Sequence, residues 1–254
     1  VKGKLENLTI ERVDSLRMVG SIYKGKIRNL EDGLKAAFVD IGLEKNAFLH
    51  YWDIIPSPLD SSYDVVHRGT RRKEKPKITN KDIPKKYPTG TELIVQVTKG
   101  PIGTKGPRVT TNVLLPGRYL VLLPNSEQSG VSRKIENREE RARLKKIVRE
   151  LDIPEGMGVI IRTAGQEQRK AYFIRDLTML LRDWKEIKGR VKDQKAGTCV
   201  FDEPDLIVRT VRDFLTEDVE RIVIDNAAEV ERVKKLIGPI SKRALDKVHR
   251  YAFS

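Results

Sequence analysis

The sequence predicts a multidomain α+β chain. Short segments of alternating polarity, separated by glycine turns, run from about Gly20 to Thr111. Two stretches of helical period, near 137–151 and 167–188, flank a short apolar strand at Gly158–Ile161. After Cys199, strand-like and helix-like runs alternate. A chain of 254 residues has room for one large core or two small ones.

Residues 1–19 hold one short extended run, Leu5-Glu-Asn-Leu-Thr-Ile10, too little to make a domain alone. Ser21-Ile-Tyr-Lys-Gly-Lys-Ile27 has the period of a half-buried strand, with Lys24 and Lys26 on one face. Further strands are expected at Leu34–Gly42, Asn46–His50, Glu92–Thr98 and Arg108–Thr111. Short strands joined at glycine turns suggest a small closed barrel. Phe38 and Phe48 fall on neighbouring strands, and aromatic rings on a basic barrel face stack on single-stranded bases. Lys24, Lys26, Lys99 and Lys105 share the surrounding strands and loops, so both rings read as surface platforms rather than core. An insertion, residues 55–88, interrupts the strands. From Arg68 to Lys86 it carries nine Lys and Arg against Glu74 and Asp82, without an apolar period. It reads as a loop that meets phosphates without reading sequence.

Leu114–Pro124 reads as a buried strand bounded by prolines. Asn137, with Glu140 three residues on, is a helix start, and Leu144, Ile147, Val148 and Leu151 mark one face. Asp152-Ile-Pro-Glu-Gly-Met-Gly158 breaks that helix. The next strand ends in Arg162 and Thr163, a planar cation beside a hydroxyl, which is the chemistry a phosphate requires. A second helix is expected from about Glu167 to Lys188, with Phe173, Leu177, Leu180, Leu181 and Trp184 on its apolar side. Beyond Cys199 the expectation is a strand at Leu206–Arg209 and a helical turn or two at Val211–Asp218. A strand follows at Arg221–Asp225, then a helix capped by Asn226, then a last helix within Ser241–Tyr251.

Lys and Arg outnumber Asp and Glu by 50 to 36, a net charge of +14, and the excess is clustered. That points to a polyanion partner, nucleic acid. The single cysteine, Cys199, excludes an internal disulfide and a Cys-only zinc site, and fits the reducing cytoplasm. His50, His67 and His249 lack metal-ligand spacing. No apolar run approaches a membrane span and no signal peptide opens the chain. A chain that begins at Val1 rather than Met is expected to be part of a longer protein.

Several stretches, in order, resemble the ribonuclease E/G family. They include Ile22-Tyr-Lys-Gly-Lys-Ile27, Ala36-Ala-Phe-Val-Asp40, Gly103-Thr-Lys-Gly106, Tyr119-Leu-Val-Leu-Leu-Pro124 and Ser132-Arg-Lys-Ile-Glu136. Leu151-Asp-Ile-Pro-Glu-Gly-Met-Gly158, Ile161-Arg-Thr-Ala-Gly165 and Ile222-Val-Ile-Asp-Asn226 complete the set. The resemblance implies an OB-fold RNA-binding barrel of the S1 type over residues 20–113, with residues 55–88 as its basic insertion. It implies a 5′-sensor subdomain over 114–206. Residues 1–19 and 207–254 would join as parts of a ribonuclease H-like α/β subdomain into which the barrel is inserted.

The resemblance also implies roles. Phe38 and Phe48 match barrel aromatics that contact RNA, and Lys99 and Lys105 match basic contacts. Arg162 and Thr163 match the pair that holds a 5′-monophosphate, with Gly117 and Val121 lining that pocket. Ile41 stands where well-known members have a second aromatic, and Asn46 where some have histidine, so weaker stacking is expected. Cleavage in the family looks Mg²⁺-dependent, through two aspartates of a downstream DNase I-like subdomain. That segment is not among these 254 residues. Asp40 and Asp225 match structural positions instead. The expected whole is a single-strand endoribonuclease of RNA processing and decay that prefers a 5′-monophosphorylated end, possible as a homo-oligomer. The expected part is its recognition half, without cofactor, catalytic residue or metal site, and inactive alone. The rival is a non-catalytic RNA-binding adaptor.

Overall fold

The computed structural model describes residues 5, 8–11, 18–55, 59–68, 78–215, 219–238 and 242–251. The chain divides into two units, Val19–Glu203 and a second made from Val1–Met18 with Pro204–Ser254.

In the first unit, strands β1 (Ile22–Glu31), β2 (Ala36–Asp40), β3 (Ala47–His50) and β4 (Tyr63–Val66) are followed by a short helix α1 (Ile83–Lys86). Then come β5 (Glu92–Lys99), β6 (Arg108–Thr110), β7 (Leu115–Pro116), β8 (Leu120–Leu123) and β9 (Ser129–Ser132). Helix α2 (Arg138–Glu150), β10 (Gly158–Ile161), helix α3 (Lys170–Asp193) and β11 (Thr198–Phe201) complete it. The order β1-β2-β3-β6-β5 closes on itself through β1–β5, giving the expected five-stranded barrel, consistent with an OB-fold. All its pairings are antiparallel except β3–β6. Alternation explains the interior: Ile27, Val39, Leu49, Val95, Val97 and Val109 are buried. β11 adds to the outside of β1.

The second sheet has the order β4-β9-β10-β8-β7. β10 lies inside it, antiparallel to β8 and parallel to β9. Helices α2 and α3 bury Leu144, Val148, Phe173, Leu177 and Trp184 in one core with its strands. Asn137 caps α2 as expected, accepting from the N–H groups of Glu139 and Glu140 at 2.9 and 3.1 Å. Helix α3 starts later and ends later than its sequence suggests. The expected strand at Leu114–Pro124 is two strands, β7 and β8, folded back through Gly117-Arg118-Tyr119.

Part of the insertion is also ordered rather than looped. Tyr63-Asp-Val-Val66 is β4 and completes the second sheet by pairing with β9. Leu59 N–H donates to Gln128 Oε1 at 2.5 Å, and Arg133 N–H to Ser62 O at 2.9 Å. Arg68, expected to be a phosphate contact, is half-buried and donates to Met157 O at 2.6 Å. Burial pushes its guanidinium below the usual arginine range, with Glu127 opposing. Of the basic run, residues 69–77 lie outside the described residues.

Asp64 of β4 gathers Lys145 (3.0 Å), Arg133 (3.2 Å) and Arg141 (3.3 Å), tying the strand to α2. These cations, Lys145 foremost, hold its carboxyl below the usual range against a smaller effect of burial. A carboxyl so held stabilises the fold above its unfolded value of about 3.9, and that stability is lost as pH falls through the lower folded value. Asp64→Asn should therefore lower stability by about 1 kcal/mol at pH 7, modest because solvent screens the pairs. Urea titrations of both proteins should show the gap closing below about pH 4. A gap that persists there would dismiss the charge explanation.

The other unit holds α4 (Leu206–Phe214), β12 (Ile222–Ile224), α5 (Ala227–Ile237), α6 (Lys242–Leu245) and β13 (Val248–Arg250). The strand expected at Leu206–Arg209 is the first turn of α4. Asp205 caps it, accepting from Val208 N–H at 3.0 Å, and Ile207, Val211 and Leu215 recur at helical spacing into the core. Asn226 caps α5 as expected. The helix expected within Ser241–Tyr251 is only α6. Val248 is buried and β13 pairs parallel with β12. Residues 5 and 8–10 of the expected run at Leu5–Ile10 are exposed and form no regular structure.

Candidate nucleic-acid interface

Two places gather the residues that the sequence singles out. The first is a row across the barrel. Strand register sets Phe38 opposite Phe48, Phe48 opposite Arg108, and Arg108 opposite Lys99. Four adjacent strands thus bring two aromatic rings and two cations into line. The rings are half-buried, 5.8 Å apart and edge-to-face, while Ala37, Val39 and Leu49 on the opposite faces fill the core. The strip continues from Phe48 to His50, with rings 4.6 Å apart and edge-to-face. Lys99 and Lys105 are exposed around the Gly100–Gly106 turn. Gly106 permits that turn: a Cβ there would run into the backbone oxygen of Asn46, where β3 begins.

Lys24 is placed differently. Its ammonium donates to Gln194 O at 2.9 Å and pairs with Glu92 at 3.0 Å, with 15% of the side chain exposed. That describes a fastener between β1, β5 and the end of α3. Lys26 is half-buried opposite Asp40. Asp40 itself is structural: Gly42 N–H and the Arg28 guanidinium hold its carboxyl below the usual range. Arg108 had not been singled out. It pairs with Asp53 at 2.9 Å, and only the cross-strand register reveals that it stands beside Phe48.

The second place is the C-terminal end of β10. Arg162 and Thr163 leave a central strand of the sheet rather than a lateral edge. Arg162 N–H donates to Tyr119 O at 2.8 Å, and its Nη1 donates to Gly117 O at 2.6 Å. Thr163 opens a 3₁₀ turn and is exposed. Val121, on β8, is half-buried opposite Ile160 and Pro116. The structure therefore brings Gly117 to Arg162 directly and leaves Val121 in the adjoining ladder.

Asp176 of α3 completes this arrangement. Its carboxylate accepts from the N–H groups of Tyr119 and Leu120, both at 2.8 Å, and of Arg118 at 3.2 Å. Burial pushes the carboxyl up, while the three N–H groups and the Arg162 charge pull it back. A Cβ on Gly117 would meet Asp176 Oδ2 at 2.7 Å, so only glycine allows this approach. The 117–120 turn is thus gripped through its N–H groups by Asp176 and through Gly117 O by Arg162. The missed signal was a lone carboxylate three residues after Phe173, inside the apolar stripe of α3.

Helix α2 holds the far side of the 3₁₀ turn. Glu140 accepts from Glu167 N–H at 2.7 Å and is held by the Arg143 guanidinium, which also donates to Gln168 O at 3.0 Å. Glu167 sits at φ +61°, a costly backbone for a non-glycine residue. Arg143 keeps the Glu140 carboxyl below the usual range. The segment after Arg162 is therefore fixed at both ends.

A closed five-stranded barrel followed by a second sheet whose interior strand leads into Arg162 and Thr163 defines the architecture, and the chain belongs to the ribonuclease E/G family, whose pattern matches residues 114–254. It is 37% identical over 249 residues to ribonuclease G of Escherichia coli (strain K12), covering 98% of this chain and 49% of that protein. It is 38% identical over 249 residues to ribonuclease E of Haemophilus influenzae, covering 98% of this chain and 25% of the relative. With ribonuclease E of Buchnera aphidicola the figures are 39% over 240 residues, 94% and 24%. The chain spans about half the length of the ribonuclease G relatives. Among the described residues, no helix is long and apolar enough to cross a membrane.

Proposed function

We propose that this chain is the RNA-recognition portion of a cytoplasmic ribonuclease E/G-type endoribonuclease that processes and degrades single-stranded RNA. The cross-strand row of Phe38, Phe48, Arg108 and Lys99 carries this reading. The two rings stack on unstacked bases and the exposed Lys99 attracts the phosphates between them, while Arg108, paired with Asp53, borders Phe48. Residues 20–113 act as the S1-type RNA-binding domain. Residues 114–206 act as the 5′-sensor, and 1–19 with 207–254 as the ribonuclease H-like subdomain.

In this reading Arg162 and the Thr163 hydroxyl hold a 5′-monophosphate beside Gly117. A guanidinium presents its donors in a plane, and the bond to Gly117 O sets the orientation of that plane before RNA arrives. Asp176 positions the 117–120 turn and touches no RNA. Among the described residues, no three His, Cys, Asp or Glu side chains are placed to hold a metal ion. In this reading the Mg²⁺-dependent cleavage of the whole protein falls to two aspartates of a downstream DNase I-like subdomain, as the family resemblance implies. Mg²⁺-dependent cutting by this chain alone, lost in Asp225→Asn, would overturn that assignment.

Affinity for a single-stranded oligonucleotide tests the barrel. Phe48→Ala should weaken binding by about 1–3 kcal/mol, roughly 5- to 150-fold, the worth of one stacked base. Binding measured by anisotropy that is unchanged in both Phe38→Ala and Phe48→Ala would dismiss the barrel as the RNA site.

A further inference from the structure

The aromatic strip does not stop at His50. Phe48 and His50 are two apart on β3 and so share a face, while Leu49 between them is buried. The Trp52 indole lies flat on the His50 imidazole, with centroids 3.8 Å apart and planes 16° apart. His50 Nδ1 is buried and has no hydrogen-bond partner. The imidazole packs perpendicular to the Phe48 ring and parallel to the Trp52 indole. Trp52 nevertheless keeps 50% of its surface exposed.

The backbone beneath Trp52 is unusually well anchored. Thr111 N–H donates to Asp53 O at 3.0 Å, the Thr110 and Thr111 hydroxyls and Asn112 Nδ2 lie within 3.3 Å of the same oxygen, and Asn112 Nδ2 also reaches Ile55 O at 3.1 Å. The Asp53 carboxylate pairs with Arg108 of the RNA row. Tyr51, on the other side, is buried with its hydroxyl donating to Asp32 at 3.1 Å. A large exposed ring held on both sides loses little freedom when a base stacks on it, and that is the condition for a useful platform. A merely structural tryptophan would turn its area inward, as Trp184 does at 4% exposure.

We propose that Trp52, backed by His50, is a further base-stacking platform that extends the single-stranded RNA site of the barrel past Phe38 and Phe48 by about one nucleotide. This rests on the reading of the barrel as an RNA-binding domain. The row gives the strip its order, from Phe38 through Phe48 and His50 to Trp52.

The two tryptophans of the chain make the test direct, because Trp184 is buried and Trp52 is exposed. The full chain is titrated with single-stranded RNA oligonucleotides of increasing length, and both intrinsic fluorescence and affinity are followed. RNA should quench the accessible tryptophan emission, and W52F should remove that quench while retaining most of the affinity. W52A should weaken binding about tenfold and shorten by about one nucleotide the length at which affinity stops rising. Quenching that persists in W52F, or full affinity in W52A, would overturn the proposal. If F48A lowers affinity while W52A does not, the extension fails and the barrel reading stands. If neither variant binds less tightly, both fall together.

Discussion

Asp176→Ala is expected to lower the stability of the Val19–Glu203 unit by about 3 kcal/mol or more, the largest effect of any single change at this site. Three backbone N–H groups converge on one carboxylate, and truncation leaves all three without that acceptor inside a partly desolvated turn. Each such loss costs about 1–3 kcal/mol, and relaxation of the turn toward water reduces the total. Asp176→Asn should cost less, because its carbonyl still accepts, but its amide would face N–H donors. Urea unfolding of the three proteins gives the order directly. The same substitutions should reduce any preference for a 5′-monophosphate, since the turn that Asp176 grips presents Gly117 O to Arg162. An alanine variant as stable as the parent would show that water replaces the carboxylate and would remove Asp176 from the description of the site.

Arg162→Ala is expected to abolish discrimination between RNA with a 5′-monophosphate and the same RNA with a 5′-hydroxyl. A charge-assisted bond is worth about 1.5–3 kcal/mol, so the preference that disappears should be roughly 10- to 150-fold. Arg162→Lys keeps the charge without the planar fork and should retain part of it. Thr163→Ala removes a single neutral donor and should cost about 1 kcal/mol. Arg162 also holds Gly117 O, so its removal disturbs the turn as well as the ligand. The 5′-hydroxyl RNA controls for this, because its affinity comes from the barrel and should barely change. Equal loss for both RNAs would make Arg162 structural, and an unchanged preference would place the end-reading group elsewhere.

The two predictions separate what Asp176 and Arg162 do. Asp176 holds the turn and should register mainly in stability. Arg162 meets both the turn and the proposed ligand and should register mainly in the comparison of RNA ends. A double variant that loses no more preference than Arg162→Ala alone is the expected sign that Asp176 acts through the turn.

Much of this was legible from residues close together in the chain. Caps at Asn137 and Asn226, the barrel strands, and the strand ending in Arg162 and Thr163 all depend on spacing within a few residues, where backbone geometry decides. Alternation alone put Phe38 and Phe48 on neighbouring strands, and the structure sets them directly opposite one another, half-buried. What the sequence did not reveal lies mostly between residues far apart. β4 looks like loop until β9 pairs with it, and Arg108 looks like any strand arginine until register sets it beside Phe48. Lys24 looks like an RNA contact until Gln194 and Glu92 take its charge. Two misses were local instead: Asp205 caps α4 three residues before Val208, with Ile207, Val211 and Leu215 at helical spacing, and Trp52 stands two residues from His50. Local periodicity and capping determined the elements and the chemistry they carry. Tertiary structure alone decided which charges are used up internally and which rings share a face, because desolvation and cross-strand register are set by partners that the local sequence does not specify.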